Sequence, residues 1–263
     1  MSGHHLKNLA LICIFIVIGS SFLVPGCGNG AAPSGIEQNS EEGNQAVTET
    51  KPVETQDADS ASSSMTIHMC GRSVLAGWFY YWGWEGDPAT PIGFGGYNLI
   101  YHEMNSPPDI TASALDVIHQ MKLRGDKIMF FKLCFVDFIG GDQDGARQNL
   151  EADKEIIRTV VKAAVEDAGL TLILGNALPT TRQYSDYWLT WNNQEYNKFL
   201  DGLSAQYPGR VLILDLYRTL TTSDYWLRPT YATAPDDAHP NAQGYAALDK
   251  AFQALLAKLA SAP

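Results

Sequence analysis

The chain has 263 residues, with 29 Asp and Glu against 18 Lys and Arg, and a formal net charge of −11 at neutral pH. No cluster of Lys and Arg interrupts that acidic balance, which excludes a phosphate-tracking nucleic-acid surface. The composition shifts near residue 65, and a stretch of about 200 residues beyond it is enough for one domain that buries roughly 70% of its unfolded surface without staples.

His4, His5 and Lys7 make a weakly basic start, followed by an apolar run from Leu9 to Ile18. The run falls short of the about 20 residues a spanning helix needs and suits the apolar centre of an export signal. It leads into Leu23-Val24-Pro25-Gly26-Cys27, with an apolar residue three before the cysteine and a small residue directly before it. This resembles a bacterial lipobox. The resemblance implies that residues 1–27 are a lipoprotein signal peptide and that lipid on Cys27 anchors an exported protein at the cell envelope, outside the cytoplasm. Residues 28–64 are Gly, Ser, Glu, Gln, Thr and Asp with almost no large apolar side chains, which predicts a disordered linker. Such a tether reaches roughly 30–35 Å root-mean-square. Residues 65–263 form the expected folded domain.

In that domain, Thr66–Cys70, Tyr97–Tyr101, Lys127–Phe135, Leu170–Leu174 and Arg210–Asp215 read as strands. Their nearly continuous apolar character predicts burial on both faces, hence a parallel sheet covered by helices. Helical spacing lies between them: Leu115, Ile118 and Met121; Leu150, Ile157, Val160, Val161 and Ala164; Tyr196, Phe199, Leu200, Leu203 and Tyr207; and finally Tyr245, Leu248, Phe252, Leu255 and Leu259. The expected fold class is α/β, a three-layer α/β/α flavodoxin-like sandwich on a five-stranded parallel sheet ordered 2-1-3-4-5. Its site should lie beyond the C-terminal ends of the strands. Cys70 and Cys134 fit one disulfide or two buried thiols equally well.

The chemistry-bearing residues follow from that placement. Gly71-Arg72-Ser73 directly follows the first strand, so Ser73 can sit on a tight turn at a helix start, its own N–H available to an oxyanion. Taken alone, an N-cap serine explains it as well. Before the last helix stands Asp236-Asp237-Ala238-His239-Pro240-Asn241-Ala242-Gln243-Gly244-Tyr245. Here Asp236 can orient His239, and His239 can take the serine proton. Trp78, Phe79, Tyr80, Tyr81, Trp82 and Trp84 divide between core and cleft lining, and Trp188 and Trp191 are candidates for a second cleft wall.

Gly-x-Ser after the first strand together with Asp-x-x-His-Pro before the last helix resembles the SGNH (GDSL-type) hydrolase family. The likeness spans the whole folded region, and its first block is divergent, reading Gly-Arg-Ser. It implies ester hydrolysis with Ser73 as nucleophile, His239 as base and acid and Asp236 as orienter, without metal or cofactor. Arg72 replaces the aspartate usual before the serine. The glycine usual after the second strand is missing from His102-Glu103-Met104-Asn105-Ser106-Pro107. The asparagine usual after the third is missing from Lys132-Leu133-Cys134-Phe135-Val136-Asp137, although Asp137 stands where that block ends. Each lost oxyanion donor typically costs about 10²–10³ in rate, so Arg72, Asn105 and Lys132 are the candidate replacements. The leading expectation is an esterase that removes O-acyl, above all acetyl, groups from an extracellular polysaccharide or other small ester. The alternative is a catalytically impaired carbohydrate-binding module on the same fold. The histidines show no metal-ligand spacing.

Overall fold

The computed structural model describes residues 65–138, 141–221 and 223–261, so the expected signal peptide, Cys27 and linker lie outside the described residues. Six strands form one sheet: β1 (Thr66–Gly71), β2 (Ile92–Phe94), β3 (Tyr97–Glu103), β4 (Ile128–Lys132), β5 (Thr171–Gly175) and β6 (Val211–Leu214). Their spatial order is β2-β3-β1-β4-β5-β6. All neighbours pair in parallel except the edge strand β2, which folds back antiparallel on β3. The five parallel strands therefore run in the expected order, and β2 is the addition the sequence reading missed. At three residues, only half-buried, it carries too short an apolar signal to register.

Side-chain alternation splits the core in two. Ile67, Met69, Ile128, Phe130 and Ile173 face α1 (Ser73–Tyr81). Met129, Phe131, Leu172 and Leu174 face the opposite layer, α2 (Ile110–Arg124), α3 (Gln143–Val161) and α4 (Tyr187–Gln206). The short α5 (Leu216–Leu220) and the last helix, α6 (Ala242–Ala260), join α1 on the first face. Each fully buried Phe or Ile contributes about 1.5–3 kcal/mol, so the central strands dominate the stability. The apolar run expected to stay extended through Phe135 instead leaves the sheet after Lys132. Phe135–Phe138 winds one 3-10 turn there. Asp137 explains the exit: its Oδ2 accepts the Cys134 N–H at 2.8 Å, a local bond that replaces the sheet ladder. Cys70 and Cys134 are buried free thiols.

The contact between α1 and α6 sets the site. Trp78 and Trp82 on α1 both donate their indole N–H to Asp249 Oδ1 on α6, at 2.7 and 2.9 Å. Tyr245 donates its hydroxyl to the Val74 carbonyl at 3.2 Å. Gly77 permits this approach, because a Cβ there would overlap the Tyr245 hydroxyl and lie 3.2 Å from its Cζ. The first turns of α1 and α6 are thus locked together.

Candidate active site

Ser73 is the first residue of α1. Arg72 before it is extended, and the Arg72 carbonyl accepts the N–H groups of Leu75 and Ala76 at 2.7 and 3.1 Å. The N–H groups of a helix's first residues have no intrahelical acceptor, so that of Ser73 faces outward. Gly71 makes the turn tight enough, since a Cβ there would come within 2.9 Å of Leu75 Cδ2.

His239 comes from the loop that enters α6. Asn241 caps that helix: its Oδ1 accepts the N–H groups of Gln243 and Gly244 at 2.9 and 3.1 Å, while its Nδ2 donates to the Thr230 and Ala232 carbonyls at 3.0 and 2.9 Å. Gly244 lets the Tyr231 backbone pass, an added Cβ lying 3.0 Å from the Tyr231 carbonyl. Held this way, His239 Nε2 stands 3.1 Å from Ser73 Oγ. Phe135 packs its ring edge-to-face on the imidazole, with centroids 5.5 Å apart.

The acidic partner corrects the sequence reading. It is Asp237, whose Oδ1 lies 2.6 Å from His239 Nδ1 and also accepts the His239 backbone N–H at 2.9 Å. Asp236 is exposed on the turn. The reason is local: a short carboxylate reaches the N–H two residues on, and that Asx turn lays it beside the imidazole of the same residue. These partners assign Nδ1 as protonated and Nε2 as the acceptor of the serine hydroxyl. Burial pulls the Asp237 carboxyl upward, but the two bonds from His239 outweigh it and hold it below the ordinary range. It therefore stays ionised at neutral pH.

No protein-family model and no curated protein matches the sequence. Solved structures do match the fold. A GDSL-like lipase from Bacteroides thetaiotaomicron VPI-5482 superimposes with a TM-score of 0.54 at 12% identity, covering 74% of this chain and 89% of its own. A catalytic mutant of an acetylxylan esterase from Geobacillus stearothermophilus gives 0.51 at 13% identity, covering 72% and 93%. This chain has the SGNH hydrolase fold.

Within that SGNH frame two of the three candidate substitute donors, Arg72 and Lys132, are engaged elsewhere. Arg72 is engaged as a clamp: its guanidinium pairs with Asp137 and donates to Ser106 Oγ at 3.1 Å, tying together the loops after β1, β3 and β4. Lys132 is buried at 2% exposure and donates to the Leu133 carbonyl at 3.1 Å. Its stem passes Gly71 and Gly175, where added Cβ atoms would lie 3.3 and 3.0 Å from it. Burial pulls its ammonium pKa down. Such a lysine supports the strand ends from within and offers no hydrogen bond to a ligand in solvent. Asn105 is exposed, and its backbone N–H is taken by Ser113 Oγ at 3.2 Å, which leaves its side-chain amide. Of the three, only the Asn105 side chain is exposed with its amide outside these bonds.

The aromatic run after Ser73 divides between core and surface. Trp78, Phe79 and Trp84 are buried, Trp82 is pinned to Asp249, and Tyr80 and Tyr81 are exposed. Trp188 and Trp191 contact each other edge-to-face on α4, with centroids 5.8 Å apart. Tyr184, just before α4, packs on Phe135 at 5.5 Å and so lies one ring away from His239. Sequence reasoning missed Asp237, Phe135 and Asn241. Only Asp237 carried a usable signal, the two-residue Asx spacing.

Proposed function

We propose that this chain is a serine esterase that removes a small acyl group, acetyl above all, from a carbohydrate ester. The observation that carries the reading is the chain Ser73 Oγ–His239 Nε2 at 3.1 Å and His239 Nδ1–Asp237 Oδ1 at 2.6 Å. That chain lies at the C-terminal edge of an SGNH-fold sheet, a fold shared with an acetylxylan esterase.

In the first half-reaction His239 takes the Ser73 proton while Oγ attacks the acyl carbon. Asp237 stabilises the imidazolium that forms. The negative oxygen of the tetrahedral species meets the Ser73 N–H at the positive end of α1. Collapse breaks the acyl–oxygen bond, and His239 returns its proton to the leaving alcohol. In the second half-reaction water attacks the acyl-Ser73 ester, His239 takes the water's proton, and collapse releases the acid and restores Ser73–OH. No group beyond these residues and water enters the balance.

The test is hydrolysis of p-nitrophenyl acetate and of acetylated xylotriose by the protein beside Ser73→Ala. Turnover lost in the variant supports the reading, and turnover retained refutes it. A second reading, a carbohydrate-binding module without turnover, is favoured by the Gly and Asn donors this chain lacks. It predicts sugar binding that survives His239→Ala. From the sequence of residues 1–64 we also infer tethering at the bacterial envelope through lipid on Cys27. Metabolic labelling with palmitate that persists in Cys27→Ala would refute that anchor.

A further inference from the structure

A cleft of about 770 Å³, within the usual size of small-molecule sites, is lined in part by the loop that carries His239. Thr181, Arg182 and Gln183 form one wall, Asp224, Trp226 and Leu227 a second, and the segment from Ala232 to Pro235 a third. Neither Ser73 nor His239 lines it, but the third wall belongs to the His239 loop. Thr233 donates both its N–H and its hydroxyl to the His239 carbonyl, each at 3.0 Å, and Ala232 pairs with Pro240. Cleft and imidazole therefore share one short segment of backbone.

Backbone hydrogen bonds and a ring contact hold two of its walls. Leu227 is buried, donates its N–H to the Thr180 carbonyl at 2.9 Å and bridges to Thr221. Arg228 Nε holds the Thr221 carbonyl at 2.9 Å. The Arg182 guanidinium lies over one face of the Trp226 ring, 4.9 Å from its centroid. The lining is thus an apolar floor, one large aromatic and a guanidinium, an amide, a carboxylate and hydroxyls. A long acyl chain seeks continuous apolar walls. A sugar ring seeks an aromatic surface for its C–H face and planar polar groups for its hydroxyls.

The direction of the chemistry says which half of the substrate sits here. The leaving alcohol takes its proton from His239 Nε2, so the alcohol must lie on the His239 side of the scissile bond. We infer that this cleft binds the glycosyl ring that carries the ester, with Trp226 as its apolar wall and Arg182 and Gln183 as hydroxyl ligands. The inference rests on the esterase reading for its orientation.

The test compares Trp226→Ala, and Arg182→Ala on an exposed side chain, with the parent protein. For acetylated xylotriose, KM should rise at least tenfold in Trp226→Ala and severalfold in Arg182→Ala. For p-nitrophenyl acetate, which brings no sugar, kcat/KM should stay within about twofold. Equal losses on both substrates, or no change on the acetylated sugar, would overturn the assignment. If the parent hydrolyses neither substrate, the esterase reading has failed, and calorimetry with xylotriose still reads the cleft. Binding to the parent that weakens at least tenfold in both variants supports the cleft as a sugar site. Binding that is absent from the parent, or unchanged in the variants, overturns it.

Discussion

Replacing Asp237 with Asn removes a charge while keeping size and shape. The Asn oxygen can still accept the two donors that Asp237 Oδ1 holds, the His239 N–H at 2.9 Å and Nδ1 at 2.6 Å, so the loop should keep its conformation. What disappears is the negative charge beside the imidazolium. In a buried triad the same replacement, which also frees the imidazole to take the wrong tautomer, costs about 10⁴ in kcat, roughly 5 kcal/mol at about 1.4 kcal/mol per decade. Asp237 and His239 are each 38% exposed, so water screens part of the interaction. The expected loss here is therefore smaller, about 10²–10³, or roughly 3–4 kcal/mol of transition-state stabilisation. Asp236→Asn, on an exposed side chain outside the triad, should stay within about twofold. The assay is the initial rate on p-nitrophenyl acetate at neutral pH, with Ser73→Ala as the blank and thermal melts to show that both variants fold. Equal losses in the two variants, or less than about a threefold loss in Asp237→Asn, would refute the role given to Asp237.

Three further outcomes are expected. Gly77→Ala drives a methyl into Tyr245 and should cost about 1–3 kcal/mol by overpacking, with a parallel drop in kcat as α1 and α6 separate. Adding Tyr245→Phe removes the clashing oxygen and should restore most of the melting temperature, and no restoration would mean that the clash lies elsewhere. Burial, with help from neighbouring His68 and Arg124, holds the His102 pKa down at about 4. The unfolded chain gains that proton from about pH 6.5 downward, so stability present above pH 6.5 is lost between about 6.5 and 4, by about 3 kcal/mol. Urea melts across this window should flatten in His102→Gln, and parallel pH dependence in parent and variant would count against it. Burial and then Asp137 push the Asp153 carboxyl up to about 8, and among the described residues its Oδ2 has no hydrogen-bond partner. The folded state keeps a proton that the unfolded state sheds near pH 4, so stability falls as pH rises from about 4 to 8. Asp153→Asn should match the parent at pH 4 and exceed it by roughly 3–5 kcal/mol at pH 8. A constant offset between the two would refute the linkage.

The sequence by itself determined the three-layer α/β architecture and the order of the parallel strands. Continuous apolar runs such as Ile128–Phe131 can be buried only between two helical layers, and their alternation with amphipathic stretches leaves few topologies. It also determined that Ser73 and the loop carrying His239 belong to one sheet edge, because each directly adjoins a core element. Tertiary structure decided the rest. Which of two adjacent aspartates meets His239 depends on a turn closed by backbone hydrogen bonds, and neighbouring carboxylates look alike in a sequence. Lys132 and Arg72 read as equivalent cations, yet one is enclosed beneath the helix layer between two glycines and the other ties three loops together through Asp137 and Ser106. The cleft at Trp226 joins the loop at Arg182 to a segment more than about 40 residues further on, and only folding brings Arg182, Trp226 and Thr233 to face one space. Periodicity reports which residues are buried, whereas the direction of a side chain beyond a strand end is set by the loops that pack around it.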